Sequence, residues 1–231
     1  MMSGLDWTEE LKKRTGIDFL TTRPMEIEKK SFEIIKGELG DEFVSSYPAE
    51  ALPILCRVIH TTADFDYADN LAFSPDVIEQ AKAALCNGAT IVTDTNMALS
   101  GISKPSLTKL GAKALCLMAD PDIAREAKER GVTRAVVSME HAARLDGPLI
   151  FAVGNAPTAL IRLHELIGRD EVKPALVIGV PVGFVNVVEA KELFIGGKTP
   201  YIIARGRKGG SNVAAAIVNA LLYQLIRREG F

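Results

Sequence analysis

The chain has 231 residues, of which 48% are hydrophobic and 24% are charged, and its formal net charge is −2. A chain of this length can bury a substantial core, and we expect one domain, residues 23–231, after a charged N-terminal extension, residues 1–22. Acidic and basic residues are spread along the chain, which argues against a nucleic-acid surface and against a polybasic membrane anchor.

The cysteines and the apolar runs indicate a cytoplasmic protein. Cys56, Cys86 and Cys116 are an odd number at wide spacing, which fits neither a disulfide framework nor a CxxC metal site. The longest apolar run, residues 174–188, is broken by Pro181, and the N-terminus lacks an apolar signal region. No set of His, Asp and Glu has metal-ligand spacing, so we expect no metal site in the protein itself.

Helices are predicted in the first part of the chain. Pro24 suits a first helical turn, and a buried stripe is predicted from four residues at helical spacing: Ile27, Ile34, Ile35 and Leu39. Ser31 lies on the same stripe, so its hydroxyl needs a partner, either a ligand or its own backbone carbonyl, which local sequence favours. Further helices are predicted over residues 48–60 and 74–87.

Short apolar runs separated by helices follow and are predicted to be strands: 89–93, 114–118, 135–138, 149–153, 175–180 and 201–204. A long final helix is predicted over residues 212–227. The strands are continuously apolar rather than alternating, which is typical of strands buried on both faces. The pattern therefore predicts an α/β fold, a three-layer α/β/α sandwich with a mostly parallel sheet.

Ligands bind such sheets beyond the carboxyl ends of the strands, where the loops of this chain are rich in hydrogen-bond donors. The loop over residues 205–211 is the strongest anion-site candidate, because bases stand beside Gly-Gly-Ser at a helix start. Taken alone, this loop fits a tight turn with solvated bases better. A flavin- or phosphate-binding module is disfavoured, because the loop that begins at Asp94 is acidic and lacks glycine at its start.

Arg57 and His60 are three residues apart, so on a helix they point from one face toward the same space. His60 is expected to end its helix, before Thr61 and Thr62, where its ring could reach a ligand. Imidazole titrates near neutral pH and Arg57 would hold negative charge beside it, which suits proton donation to a bound acid. The alternative is a histidine that only complements the C-terminus of its own helix.

Four segments of the chain, taken together, resemble the precorrin-8X methylmutase family of cobalamin biosynthesis, which includes the cobalt-precorrin-8 methylmutases: residues 57–67, 154–160, 179–185 and 205–211. The resemblance implies a flavodoxin-like fold, a homodimer, and an isomerase that moves a methyl group from C-11 to C-12 of the corrinoid ring. The product would be a hydrogenobyrinic acid or the cobalt-bearing cobyrinic acid. No cofactor is implied, because cobalt would arrive as part of the substrate.

The resemblance also assigns residues. It places the catalytic histidine on His60, with Ser31 and Arg57 as substrate-binding residues, which replaces the backbone role that local sequence favoured for Ser31. A methyl shift around a conjugated ring needs one acid and a rigid pocket, and His60 can be that acid. We expect the substrate's carboxylates to be bound by residues of the donor-rich loops: Asn155, Arg205, Gly209 and Ser211.

The sequence leaves open which branch of the family the chain belongs to and whether it is an enzyme or a carrier. Residues 61–65 look more like the anaerobic, cobalt-inserting branch of the family than the aerobic one. A non-catalytic corrinoid carrier that holds the product for the next enzyme would have the same pocket. Only the requirement for His60 separates the carrier from the isomerase.

Overall fold

A computed structural model describes residues 7–226, which fold around a six-stranded sheet. The strands are β1 Leu71–Phe73, β2 Thr90–Thr93, β3 Lys113–Leu115, β4 Leu149–Val153, β5 Leu176–Gly179 and β6 Tyr201–Ala204. Their order across the sheet is β1-β6-β5-β4-β2-β3, and every neighbouring pair is parallel except β1 with β6. The predicted mostly parallel α/β sheet is confirmed.

Helices connect the strands and cover the sheet. Their bounds are α1 Thr8–Thr15, α2 Pro24–Leu39, α3 Asp41–Ser46, α4 Leu52–Thr62, α5 Tyr67–Asn70, α6 Val77–Cys86, α7 Asn96–Gly101, α8 Lys104–Leu110, α9 Pro121–Arg130, α10 Arg134–Ala142, α11 Pro157–Gly168, α12 Val187–Glu192 and α13 Ser211–Leu225. Within residues 7–226 no helix is long and apolar enough to cross a membrane. Residues 1–6 of the predicted extension and residue 227, the predicted end of the last helix, lie outside the described part.

Each central strand sends alternate side chains to two apolar cores, one on each face of the sheet. In β4, Ile150 packs with the core under α4, α6 and α13, whereas Phe151 packs with the core under α10, α11 and α12. In β6, Ile202 and Ile203 divide in the same way. Burial on both faces explains why these strands are continuously apolar.

The structure corrects two strand predictions. Residues 135–138 lie in helix α10, which Thr133 caps by accepting a hydrogen bond from the backbone N–H of Val136 at 3.3 Å. The edge strand β1 was not predicted from the sequence. It has three residues and pairs antiparallel with β6, a partner 130 residues later in the chain.

The helix boundaries and the α2 stripe also differ from expectation. Helix α4 begins at Leu52 rather than near residue 48 and continues to Thr62, two residues beyond His60. On α2, Ile35 is buried, but Ile27 and Ile34 remain 47% and 41% exposed. These two side chains line a cavity instead of filling the core.

Candidate active site

The C-terminal turn of α4 carries His60 and is built from the residues that follow it. The hydroxyls of Thr61 and Thr62 donate to the carbonyls of Arg57 and Val58, both at 2.8 Å. Both threonines are therefore compatible with the helix, which continues past His60. The helix ends at Thr62, and the next residue, Ala63, turns the chain away with a left-handed φ of 53°. His60 is exposed on this turn, where a ligand can reach its ring.

The central contact of the site joins α2 to α4. The Ser31 hydroxyl and His60 Nδ1 share a hydrogen bond of 2.7 Å. The ring of Phe32 meets the imidazole edge-on, with the ring centroids 5.6 Å apart. Because both contacts hold the imidazole, Nε2 is the ring nitrogen left for a ligand. The local preference for a backbone partner of Ser31 is therefore wrong.

Ser31 and His60 line a cavity of about 420 Å³ between α2, the end of α4 and the segment that precedes α2. Most of its wall is apolar: Leu20, Ile27, Ile34, Ile35, Ile59, Ala63 and Phe65. Its polar residues are Thr21, Lys30, Ser31, Glu38 and His60. An apolar cavity with a few convergent polar groups is the usual form of a small-molecule site.

Arg57 lies one turn before His60 but outside the lining of this cavity. Its guanidinium pairs with Glu28 and stands over two aromatic rings, 5.2 Å from the centroid of Phe32 and 4.8 Å from that of Tyr223. These contacts fix the arginine against α2 and α13. To bind Arg57, a substrate carboxylate would have to share the guanidinium with Glu28 or displace Glu28 from it.

The loop over residues 205–211 lies at the carboxyl end of β6, as expected. Arg205 makes a two-point ion pair with Glu192, at 2.9 and 2.8 Å, while Lys208 contacts Asp64 and Asp66, each at 2.6 Å. The ammonium of Lys208 holds the pKa of Asp64 below its usual value. Lys208 thus joins this loop to the turn after His60.

Gly209 and Ser211 have packing roles in this loop. A Cβ on Gly209 would lie 2.1 Å from the carbonyl oxygen of Val180, so only glycine permits this approach. The Ser211 hydroxyl shares a 2.7 Å hydrogen bond with Thr95. In the described part of the chain, the wall of the His60 cavity includes neither residue, nor Arg205 or Asn155, and their substrate contacts stay predictions.

Asp94 accounts for the backbone donors after β4. Its buried carboxylate accepts hydrogen bonds from the N–H groups of Gly154, Asn155 and Ala156, at 2.8, 2.8 and 2.6 Å. Burial raises the pKa of Asp94, and the three N–H bonds oppose that shift. These amides include that of Asn155, one of the predicted carboxylate-binding residues, and they have an internal carboxylate as their partner.

Lys191 is fully buried, and sequence reasoning did not single it out. Its ammonium donates to the carbonyls of Gly206 and Lys208, at 2.9 and 2.8 Å, and so supports the loop that reaches the turn after His60. Burial lowers the pKa of Lys191 from 10.5 to about 8. A lysine within a six-residue helix has no local signature for this role, which only the tertiary fold reveals.

The lowered pKa of Lys191 predicts a pH dependence of stability. Below about pH 8 the lysine is charged in both the folded and the unfolded chain, so burying the charge destabilises the fold in full. Above pH 10.5 it is neutral in both states, and the penalty is absent. We therefore expect the unfolding free energy of wild type, relative to Lys191→Met, to rise between these values. Urea unfolding of both proteins measures it, and parallel curves would contradict the expectation.

The described residues hold no group of three or more His, Cys, Asp or Glu placed to bind a metal ion. Two contacts of the site were missed from the sequence, the pairing of Glu28 with Arg57 and the cavity contacts of residues 20 and 21. One feature of the sequence could have indicated Glu28, since it precedes Ser31 by three residues on the same helix. No local sequence feature indicates the cavity contacts of residues 20 and 21.

Comparison with known proteins gives a consistent result. The family model described as precorrin-8X methylmutase matches residues 26–224. The cobalt-precorrin-8 methylmutase of Salmonella typhimurium is 46% identical over 207 residues, which cover 88% of this chain and 96% of the relative. The protein of the same name from Priestia megaterium is 43% identical over 208 residues, 90% of this chain and 91% of the relative.

A solved structure agrees with these sequence matches. The crystal structure of precorrin-8x methyl mutase from Thermus thermophilus is 38% identical and superposes with a TM-score of 0.79. The match covers 87% of this chain and 95% of the other.

Proposed function

We propose that this chain, which belongs to the precorrin-8X methylmutase family, uses His60 as the proton donor for a methyl migration on a corrinoid ring. Membership of the family makes the protein a methylmutase, an isomerase of cobalamin biosynthesis. The observation that carries the role of His60 is its 2.7 Å hydrogen bond to Ser31 in the wall of an apolar cavity. The proposed migration runs from C-11 to C-12 of the ring.

The contact with Ser31 suits a proton donor in both of its states. The serine hydroxyl accepts a hydrogen bond from Nδ1–H in the charged ring, and it accepts the same bond in the neutral ring that remains once Nε2 has lost its proton. The imidazole therefore keeps its orientation while Nε2 gives up its proton. Because an isomerisation has no net proton change, the proton returns to the imidazole of His60 after the methyl group has moved.

The cavity supplies the second requirement of the reaction, a fixed position for the ring system. Its apolar wall can exclude water from the reacting face, which strengthens any hydrogen bond from His60. Of the predicted substrate-binding residues, Arg57 is the nearest to His60 in sequence. We propose that a substrate carboxylate meets Arg57 where Glu28 now pairs with it.

The role of Ser31 can be tested separately. We expect Ser31→Ala to lower kcat about tenfold with little change in KM, because a lost orienting hydrogen bond is worth about 1–1.5 kcal/mol. Ser45→Ala is the matched control, since the Ser45 hydroxyl donates only to the carbonyl of Glu42. Steady-state kinetics measure both. An unchanged kcat in Ser31→Ala would remove serine from the account.

We further propose that the substrate is the cobalt-bearing form of precorrin-8. The support is that the relatives from Salmonella typhimurium and Priestia megaterium are named for that form, and that residues 61–65 resemble the same branch. The test is an absorbance assay of the purified protein with each form of the substrate, which follows the change in ring conjugation. A higher kcat/KM for the metal-free form would overturn this choice.

We propose a symmetric homodimer from the family resemblance and from exposed apolar side chains on helix α7, after β2, and on the loop after β5. Met97, Phe184 and Val185 are largely exposed, and large exposed apolar side chains are typical of an interface. We expect light scattering at micromolar concentration to give twice the chain mass. A monomer mass would remove the proposal.

We also propose a cytoplasmic location. Cys56, Cys86 and Cys116 are all free in the described chain, which suits a reducing compartment.

A further inference from the structure

The segment before α2 takes part in the His60 cavity. Leu20 and Thr21 line it together with Ser31 and His60. Both residues precede the region that matches the family model, which begins at residue 26. The N-terminal extension, to which sequence reasoning gave no chemistry, therefore contributes two residues to the wall of the site.

Hydrogen bonds hold this segment in place at the first turn of α2. The Thr21 hydroxyl donates to one carboxylate oxygen of Glu26 at 3.0 Å, and Arg23 donates to the other at 2.9 Å. The backbone N–H of Arg23 also donates to the Thr21 hydroxyl at 3.2 Å. These contacts fix the chain from Thr21 to Glu26, and Leu20 directly precedes this fixed stretch at the cavity.

The cavity wall exposes more apolar surface than a solvent-facing helix needs. Leu20 is 77% exposed, and Ile27 and Ile34 stay 47% and 41% exposed beside it. Scattered apolar residues are common on protein surfaces, but here three large ones share a cavity with Ser31 and His60. An exposed apolar cluster of this kind is typical of a surface that another molecule covers.

The occupant of this surface follows from its continuity with the reacting group. The apolar wall is continuous with Ser31 and His60, so a substrate that reacts at His60 lies against it. A flat conjugated ring has apolar faces and a charged edge. It can cover the apolar wall while its carboxylates stay near the cationic side chain of Lys30, which also lines the cavity.

We propose that Leu20 is a substrate-contacting residue, which packs against the corrinoid ring in the His60 cavity and raises the affinity of this chain for it. The proposal rests on the proposed function. It assigns to the extension a role in substrate binding. It leaves the proton transfer to His60.

The test compares three variants by titration with cobyrinic acid, followed by absorbance. We expect Leu20→Ser to raise the Kd roughly tenfold, the change that the loss of a partly buried leucine side chain would produce. Leu20→Met, which keeps the apolar contact, should bind nearly as well as wild type. Ile17→Ser is the matched control, because Ile17 is 56% exposed on the same segment but outside the cavity wall.

The possible outcomes separate the two proposals. If wild type binds cobyrinic acid and Leu20→Ser has the same Kd, the contact is wrong and the proposed function is untouched. The contact is also wrong if Ile17→Ser weakens binding as much as Leu20→Ser. If wild type does not bind the corrinoid, both proposals fall. Thermal unfolding of each variant checks that a surface change has left the fold intact.

Discussion

Replacing His60 with alanine is expected to lower kcat by about two to four orders of magnitude while the corrinoid still binds. In the described structure, Ser31 holds the imidazole of His60 at the cavity wall by a hydrogen bond. This imidazole is the proton donor that we propose. Without the imidazole, the apolar wall and Arg57 remain, so affinity should change little. The measurement is single-turnover absorbance kinetics beside equilibrium titration, which separates chemistry from binding.

Two further variants sharpen the result. His60→Asn keeps a polar side chain of similar reach but offers no group that can donate a proton and take it back, so it should be as inactive as alanine. His164→Ala is the control histidine, because His164 lies on α11 and packs edge-on against Phe194 on the opposite face of the sheet. Full activity in His60→Ala would contradict the general-acid role and favour a corrinoid carrier.

Replacing Asp94 with alanine is expected to give the largest loss of stability, about 3 kcal/mol or more. Its carboxylate accepts three hydrogen bonds from backbone N–H groups after β4, and a buried donor left without a partner costs about 1–3 kcal/mol. Asp94→Asn should lose less stability than Asp94→Ala, since its amide oxygen can still accept a hydrogen bond. It should remain less stable than wild type, because its NH₂ group faces backbone N–H donors. Urea unfolding gives the free energies.

The control for this change is an acidic residue outside any such network. Asp146 is exposed, so Asp146→Ala should shift the unfolding free energy by less than about 0.5 kcal/mol. If Asp94→Ala were as stable as Asp146→Ala, the carboxylate would not hold the two loops together. The amides of residues 154–156 would then be available to a ligand.

The strands that the sequence predicted well are those whose burial is continuous. Residues 149–153 and 201–204 are apolar throughout, because both faces of the sheet are covered, and the structure confirms both ranges. Residues 135–138 have the same texture, but Thr133 caps a helix there, and a run of four residues cannot separate the two structures. Strand β1 depends on pairing with distant β6, which no local pattern encodes.

The site also contains both residues that the sequence indicated and contacts that it did not. Helical spacing was enough to place Arg57 and His60 on one face, and the resemblance to the family added Ser31. The pairing of Glu28 with Arg57 and the burial of Lys191 depend on contacts between distant segments. Local sequence also suggested solvated bases after β6, whereas Lys208 pairs with Asp64 and Asp66 in the turn after His60.

The most direct test of the account is to follow the methyl group itself. Cobalt-precorrin-8 carrying ¹³C in the migrating methyl group is incubated with the purified protein alone, and the product is examined by NMR and mass spectrometry. The account predicts a product of unchanged mass with the label on C-12, formed by wild type and not by His60→Asn. A corrinoid that stays bound to wild type with its label still on C-11 would contradict it.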